Sequence, residues 1–139
     1  MEVTSMKAVI KKSPASGRAT APPSKSMAHR LIISAALAGG ISTIGNVAGS
    51  EDILASMSCM KALGAEMSEI SSGATGYKTF QIRGTDPSKA DEAVLDANES
   101  GSTLRFLIPV AALSDREMIF KGSETLMSRP LSVYENIFK

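Results

Sequence analysis

The sequence predicts an α/β fold built from repeated βαβαββ units, one complete and part of a second. Two observations carry that reading. Arg30 and Arg105 stand 75 residues apart, and each opens an aliphatic run with a small-residue tail: Leu-Ile-Ile-Ser-Ala-Ala-Leu after the first, Phe-Leu-Ile-Pro-Val-Ala-Ala-Leu after the second. Each run then leads to a strand-like stretch and a further helix-like one, and the first series closes on two β-rich runs joined by a turn, Ser71 to Gly76. Stacked units of this kind bury one helix face against their neighbours and the other against a mixed sheet.

The elements follow in order. Met6 to Ile10 reads as a short strand with Ala8, Val9 and Ile10 as its apolar part, stopped by Lys11-Lys12-Ser13-Pro14. Gly17 to Ala21 reads as a second, edge-like strand. Pro22-Pro23 ends it, and Ser24 is placed to cap a helix that runs to about Ala38 and stops at Gly39-Gly40. Ile41 to Val47 reads as a strand. Ser50 is the next N-cap candidate, with Glu51 and Asp52 in the first turn where the helix dipole favours acids. That helix carries Ile53, Leu54, Met57, Met60 and Leu63 at helical spacing and ends at Gly64, with Cys59 at a core position. Glu66 to Ile70 and Tyr77 to Ile82 form the predicted hairpin, and Thr85 to Glu92 a polar connection. In the second series Val94 to Asp96 is a strand, about Ser102 to Leu113 a helix, and Glu117 to Lys121 a strand. Pro130 reads as the first residue of a helix through Tyr134, which puts Arg129 at its cap.

Composition narrows the function. The 139 residues suffice for one ordinary core, and a mean hydropathy of +0.05 suits a soluble globular protein. Fifteen Lys and Arg are mixed with fourteen Asp and Glu, for a net charge of +1, so no basic face is available for nucleic acid. No apolar run approaches the roughly twenty residues of a membrane span, and Met1 to Lys12 lacks the apolar core of a signal peptide. Cys59 is the single cysteine and cannot form an internal disulfide, which points to a reducing cytoplasm. One histidine and one cysteine thirty positions apart make no metal site.

The chemistry lies in misplaced cations. Lys25 and Arg30, with His29 between them, sit within about a turn and a half of a helix start, where the dipole is positive. Free amides, the Ser26 hydroxyl and these flanking cations suit a phosphate or carboxylate. Ser26 and Arg30 are four apart and share a face, while Lys25 can reach around the terminus. Arg105 repeats the oddity behind Gly101, Ser102 and Thr103, where the glycine lets a ligand approach the backbone. Arg129 repeats it again. Each has a plainer reading: solvated cations on capped helices, Glu99 as a first-turn acid, and His29 as a half-buried helix residue, equally with a proton shuttle. Three such coincidences together point to a site for several negative charges.

Ser24-Lys25-Ser26-Met27-Ala28-His29-Arg30, Glu99-Ser100-Gly101-Ser102-Thr103-Leu104-Arg105 and Arg129-Pro130, in that order, resemble the motifs of the EPSP synthase (3-phosphoshikimate 1-carboxyvinyltransferase) family. The resemblance covers the whole chain as the N-terminal third of such an enzyme, including Gly49-Ser50-Glu51-Asp52 and Ala62-Leu63-Gly64-Ala65. The sister family that acts on UDP-N-acetylglucosamine shares the enolpyruvate transferase fold but lacks the first motif. The resemblance implies transfer of the enolpyruvyl group of phosphoenolpyruvate to shikimate 3-phosphate, with release of phosphate and no metal or organic cofactor. It implies that Lys25 contacts phosphoenolpyruvate near both substrates, that Ser26 and Arg30 bind the shikimate phosphate, that Gly101 backs phosphoenolpyruvate, and that Arg129 holds its charge, with Arg105 beside them. Many members read Asn-Ala-Gly-Thr-Ala where this chain has Glu99 to Thr103, so no role carries over to Glu99 or Ser102. The family's chain is about three times longer and forms two lobes of three units each. Residues 1–20 would then join the other lobe, residues 21–139 would be an incomplete N-terminal lobe, and the missing C-terminal part would be their partner. A non-catalytic anion-binding module and a purely structural repeat are the alternatives to a piece of this enzyme.

Overall fold

The computed structural model describes residues 7–14, 16–73 and 76–138. The first helix, α1 (Lys25–Leu37), starts where Ser24 Oγ accepts from the amide of Met27 at 3.3 Å. It buries Ala28, His29, Ile32, Ile33, Ala35 and Ala36, the 3–4 spacing of one helix face. Helix α2 (Glu51–Ala62) buries Ile53, Met57, Cys59 and Met60, and packs against α1. Ser50 holds the N-cap position of α2, but its buried hydroxyl makes no cap bond.

Three antiparallel strands cover these helices: β1 (Ile41–Val47), β2 (Glu66–Ser72) and β3 (Lys78–Arg83), in the order β1-β3-β2. Register pairs Ile44 with Phe80 and Met67 with Ile82. Phe80 and Ile82 point into the core while Gln81 and Arg83 stay exposed, the two-residue alternation of a half-buried strand. Gly84 follows at a very close approach: its amide donates to Gly40 O at 3.1 Å, and that of Thr85 to Ala36 O at 2.8 Å, tying the end of β3 to the end of α1.

The second series opens after a single 3-10 turn at Pro87–Lys89. Strands β4 (Ala93–Asp96) and β5 (Met118–Lys121) pair in parallel, with helix α3 (Gly101–Ala111) as their crossover. Pro109 lies inside α3 and has no amide proton for the Arg105 carbonyl four residues back. The Tyr134 hydroxyl takes that place, donating to Arg105 O at 3.0 Å, and so docks the last helix, α5 (Ser132–Ile137), on α3. One core, centred on Ile32, Ile53, Met60, Ile82, Leu95 and Leu107, runs through both series. Each such side chain contributes about 1.5–3 kcal/mol on burial.

Four expectations are corrected. The strand expected at Met6 to Ile10 falls partly on an undescribed residue, Met6, and residues 7–10 and 17–21 form no strand; they are exposed and have no ladder to join. Among the described residues the strands make two separate sheets, not one mixed sheet, because the parallel pair shares no ladder with the antiparallel trio. An additional short helix, α4 (Glu124–Met127), capped by Ser123 Oγ, comes before Arg129. Arg129 therefore follows the C-cap of α4 and is not the cap of α5, where Leu131 stands.

Candidate functional site

Three helix starts border one open cleft of about 430 Å³. Lys25 is the first residue of α1, Asp52 lies in the first turn of α2, and Gly101 is the first residue of α3. Glu99, Ser102, Arg105, Phe106 and Arg129 complete the lining. The third start is built locally: Asn98 adopts a left-handed φ of 51°, its amide donating to Asp96 Oδ1 at 2.8 Å, and turns the chain out of β4. Ser100 then caps α3, its Oγ accepting from the Thr103 amide at 3.1 Å. Gly101 and Ser102 keep first-turn amides with no partner inside the helix, at its positive end.

Charge is uneven around this cleft. Lys25 Nζ lies 2.5 Å from Asp52 Oδ2, so one cation has an internal counter-ion. A pair this exposed is worth about 1 kcal/mol or less, and an incoming anion competes with it easily. Arg30, Arg105 and Arg129 have no carboxylate within 4.0 Å among the described residues. The Nη1 atoms of Arg105 and Arg129 each come within 3.1 Å of the point where a Cβ on Gly101 would stand. Two guanidiniums thus meet over a residue with no side chain, with Arg105 Nη1 held only by a long 3.5 Å contact to Gly101 O, and their donors converge on the cleft.

Ser26 and Arg30 sit beside the cleft. Arg30 Nη1 donates to Ser26 O at 2.8 Å, and its guanidinium lies 5.2 Å from the centroid of the Phe106 ring. That cation–π contact contributes about 0.5–1 kcal/mol and steers Arg30 toward α3. The sequence-predicted residues therefore divide into two groups, Lys25, Gly101, Arg105 and Arg129 in the cleft and Ser26 with Arg30 on its shoulder, joined by Phe106.

A buried polar chain underlies the floor. His29, 1% exposed, places Nδ1 2.7 Å from Ser56 Oγ, and Ser56 Oγ lies 2.8 Å from Thr103 Oγ1. Thr103 Oγ1 reaches Asp52 O at 3.2 Å and Ser100 Oγ at 2.8 Å. Burial pushes the His29 pKa below its ordinary 6.5; Lys25 and Arg30 act in the same direction and Asp52 opposes them. His29 is fully, not half, buried. Sequence reasoning missed the pairing role of Asp52, the steering by Phe106 and the Ser56–Thr103 link. Their partners are 27 to 76 residues away, and only the hydroxyl content of Ser100-Gly101-Ser102-Thr103 hinted at a polar floor. No group of three potential metal ligands occurs among the described residues.

Comparison with known proteins identifies the family. The family model described as EPSP synthase (3-phosphoshikimate 1-carboxyvinyltransferase) matches residues 9–136. A 3-phosphoshikimate 1-carboxyvinyltransferase of Clostridium novyi (strain NT) is 45% identical over 126 residues, which are 88% of this chain and 29% of that one. One from Clostridium perfringens (strain SM101 / Type A) is 43% identical over 134 residues, 96% of this chain and 30% of the relative. The solved EPSP synthase from Acinetobacter baumannii superposes with a TM-score of 0.65 at 24% identity, covering 86% of this chain and 27% of that one, and shares its fold. The chain thus spans under a third of the length of the curated relatives it matches. With nearly all of its residues matched by the family model, the chain belongs to the EPSP synthase family.

Proposed function

We propose that this chain supplies the N-terminal part of the active site of a 3-phosphoshikimate 1-carboxyvinyltransferase. In that reading Lys25, Gly101, Arg105 and Arg129 receive phosphoenolpyruvate, while Ser26 and Arg30 hold the phosphate of shikimate 3-phosphate. The observation that carries it is the meeting of Arg105 and Arg129, free of carboxylates among the described residues, at 3.1 Å from the missing Cβ of Gly101. Two cations held over a glycine suit a substrate that carries both a carboxylate and a phosphate, and preformed donors cost no reorganisation as charge moves onto the departing phosphate. Attack by a sugar-ring hydroxyl and protonation of the enol methylene need an acid and a base. As the family resemblance implies, we assign those proton transfers to the part of the enzyme beyond this chain. Residues 1–20 belong, in the same proposal, to the other lobe, and the described ones among them are exposed and join no sheet. No described helix is long and apolar enough to cross a membrane, and a cytoplasmic setting is part of the proposal.

Titration of the chain with each substrate, followed by amide NMR, tests the reading. Shikimate 3-phosphate should move the amides of Ser24 to Arg30 with a dissociation constant of about 1 mM or weaker, and added salt should weaken it further. Phosphoenolpyruvate should bind more weakly still, and no turnover should be measurable. Shifts elsewhere only, or an unchanged titration in Arg30→Ala, would refute the placement of the phosphate.

A further inference from the structure

The single proton of Thr103 Oγ1 sets the direction of the hydroxyl chain under the cleft. Thr103 Oγ1 has one proton and two acceptors for it, Ser100 Oγ at 2.8 Å and Asp52 O at 3.2 Å. Whichever of the two acceptors takes the Thr103 proton, Ser56 must donate across 2.8 Å to Thr103 Oγ1. With its proton spent, Ser56 Oγ can only accept from His29 across 2.7 Å, which places the imidazole proton on Nδ1. Nε2, buried and without a partner, is left as a bare lone pair. The reverse arrangement forfeits the Asp52 bond and buries an unpaired N–H, and buried N–H groups are rarely left so.

We propose that His29 is a neutral, Nδ1-protonated positioning residue that works through Ser56 and Thr103 to hold the first turns of α2 and α3 against α1. Those turns carry Asp52 and Gly101, and α1 itself carries Lys25, so the chain fixes the relative places of cleft residues it never touches from solvent. Side-chain hydroxyls suit this task because each link is directional, whereas apolar packing between helices tolerates sliding.

The chain has one histidine, so a long-range ¹H–¹⁵N spectrum of the imidazole reads it without assignment. The expected pattern at pH 7 is a protonated Nδ1 and a bare Nε2; an Nε2–H tautomer or an imidazolium would overturn the proposal. The second readout rests on the anion-cleft reading and uses inorganic phosphate as the probe, followed at the Lys25 and Gly101 amides. His29→Leu and Ser56→Ala should each weaken phosphate binding roughly three- to tenfold, and the double variant should add little. His29→Asn, whose side-chain amide can donate to Ser56 from nearly the Nδ1 position, should stay within about twofold of the parent. Equal affinity in parent, His29→Leu and Ser56→Ala, with Arg105→Ala still weaker, would sink the positioning role. Should the parent itself bind no phosphate, the cleft reading falls. The tautomer, with the Asp52 and Gly101 amide shifts in Ser56→Ala, then decides this proposal separately.

Discussion

An alanine methyl at Gly101 would stand 3.1 Å from Nη1 of both Arg105 and Arg129, tighter than a comfortable contact yet against the ends of flexible side chains. Backbone conformation at this first helical position does not require glycine, and alanine is the better helix former. Gly101→Ala should therefore leave thermal stability unchanged or raise it by up to about 1 kcal/mol, while phosphate binding at the cleft weakens. A melting curve and a phosphate titration of the same sample check both halves. His29 gives a pH signature. Its folded pKa lies below 6.5, so the unfolded chain takes up the proton first; the stability is present above pH 6.5 and is lost as pH falls from there through the folded pKa. The slope should not exceed about 1.4 kcal/mol per pH unit. Glu69 and Asp86 are also shifted down, from 4.5 and 3.8, so their contributions vanish only at more acidic pH. Urea midpoints between pH 8 and 5 should fall below pH 6.5 in the parent and stay level in His29→Asn. At this scale the sequence was legible where the physics is local: the Ser24 cap, and the cations that share helix starts. The counter-ion of Lys25 was not, because Asp52 had a sufficient local reason to stand where it does.

Helices and strands were legible in proportion to how much of their stabilisation is their own. Helices α1, α2 and α3 and the two strands of the hairpin were found within a few residues, while residues 74 and 75 of its turn lie outside the described residues. The strands expected before Thr20 have the right composition and no neighbour, and strand identity is a matter of pairing. Helix α4 has its signal, Ser123 followed by Glu124, but Arg129-Pro130 is the more conspicuous pair and drew the helix start past it. Gly84 is where two elements meet without slack. A Cβ there would fall 1.8 Å from Ala38 O, at the C-cap of α1, and 3.1 Å from Ala35 O in its last turn, backbone atoms that cannot rotate away. Gly84→Ala should cost at least about 2 kcal/mol in urea unfolding. Gly39→Ala, at a position with nothing within 4 Å of the added methyl, should remain within about 0.5 kcal/mol of the parent.

Across the whole molecule, the repeat in the sequence is real as a succession of elements but incomplete as a sheet. The first series closes a three-stranded layer; the second supplies two parallel strands, whose Val94 and Ile119 are about half exposed, at 47% and 46%. Sequence periodicity foretold both sets of strands and could not tell that they would remain apart, since ladder pairing depends on where the crossover helix lands. Because the two sheets share a core but no ladder, part of the molecule can open while the rest stays shut. Opening β4 and β5 breaks their own bonds and exposes Leu95 and Leu107, whereas opening β3 removes the middle strand and every sheet bond of the first series. Native-state hydrogen exchange should accordingly show two cooperative steps, with the amides of β3 and α2 slowest and those of β5, α4 and α5 released earlier; a single step for all would contradict this. In time rather than space, the antiparallel trio needs only residues 41–83 and can form first, leaving the parallel pair to wait for its crossover helix. The cleft, which draws on both halves, is then the last part of the molecule to take shape and the first to be lost.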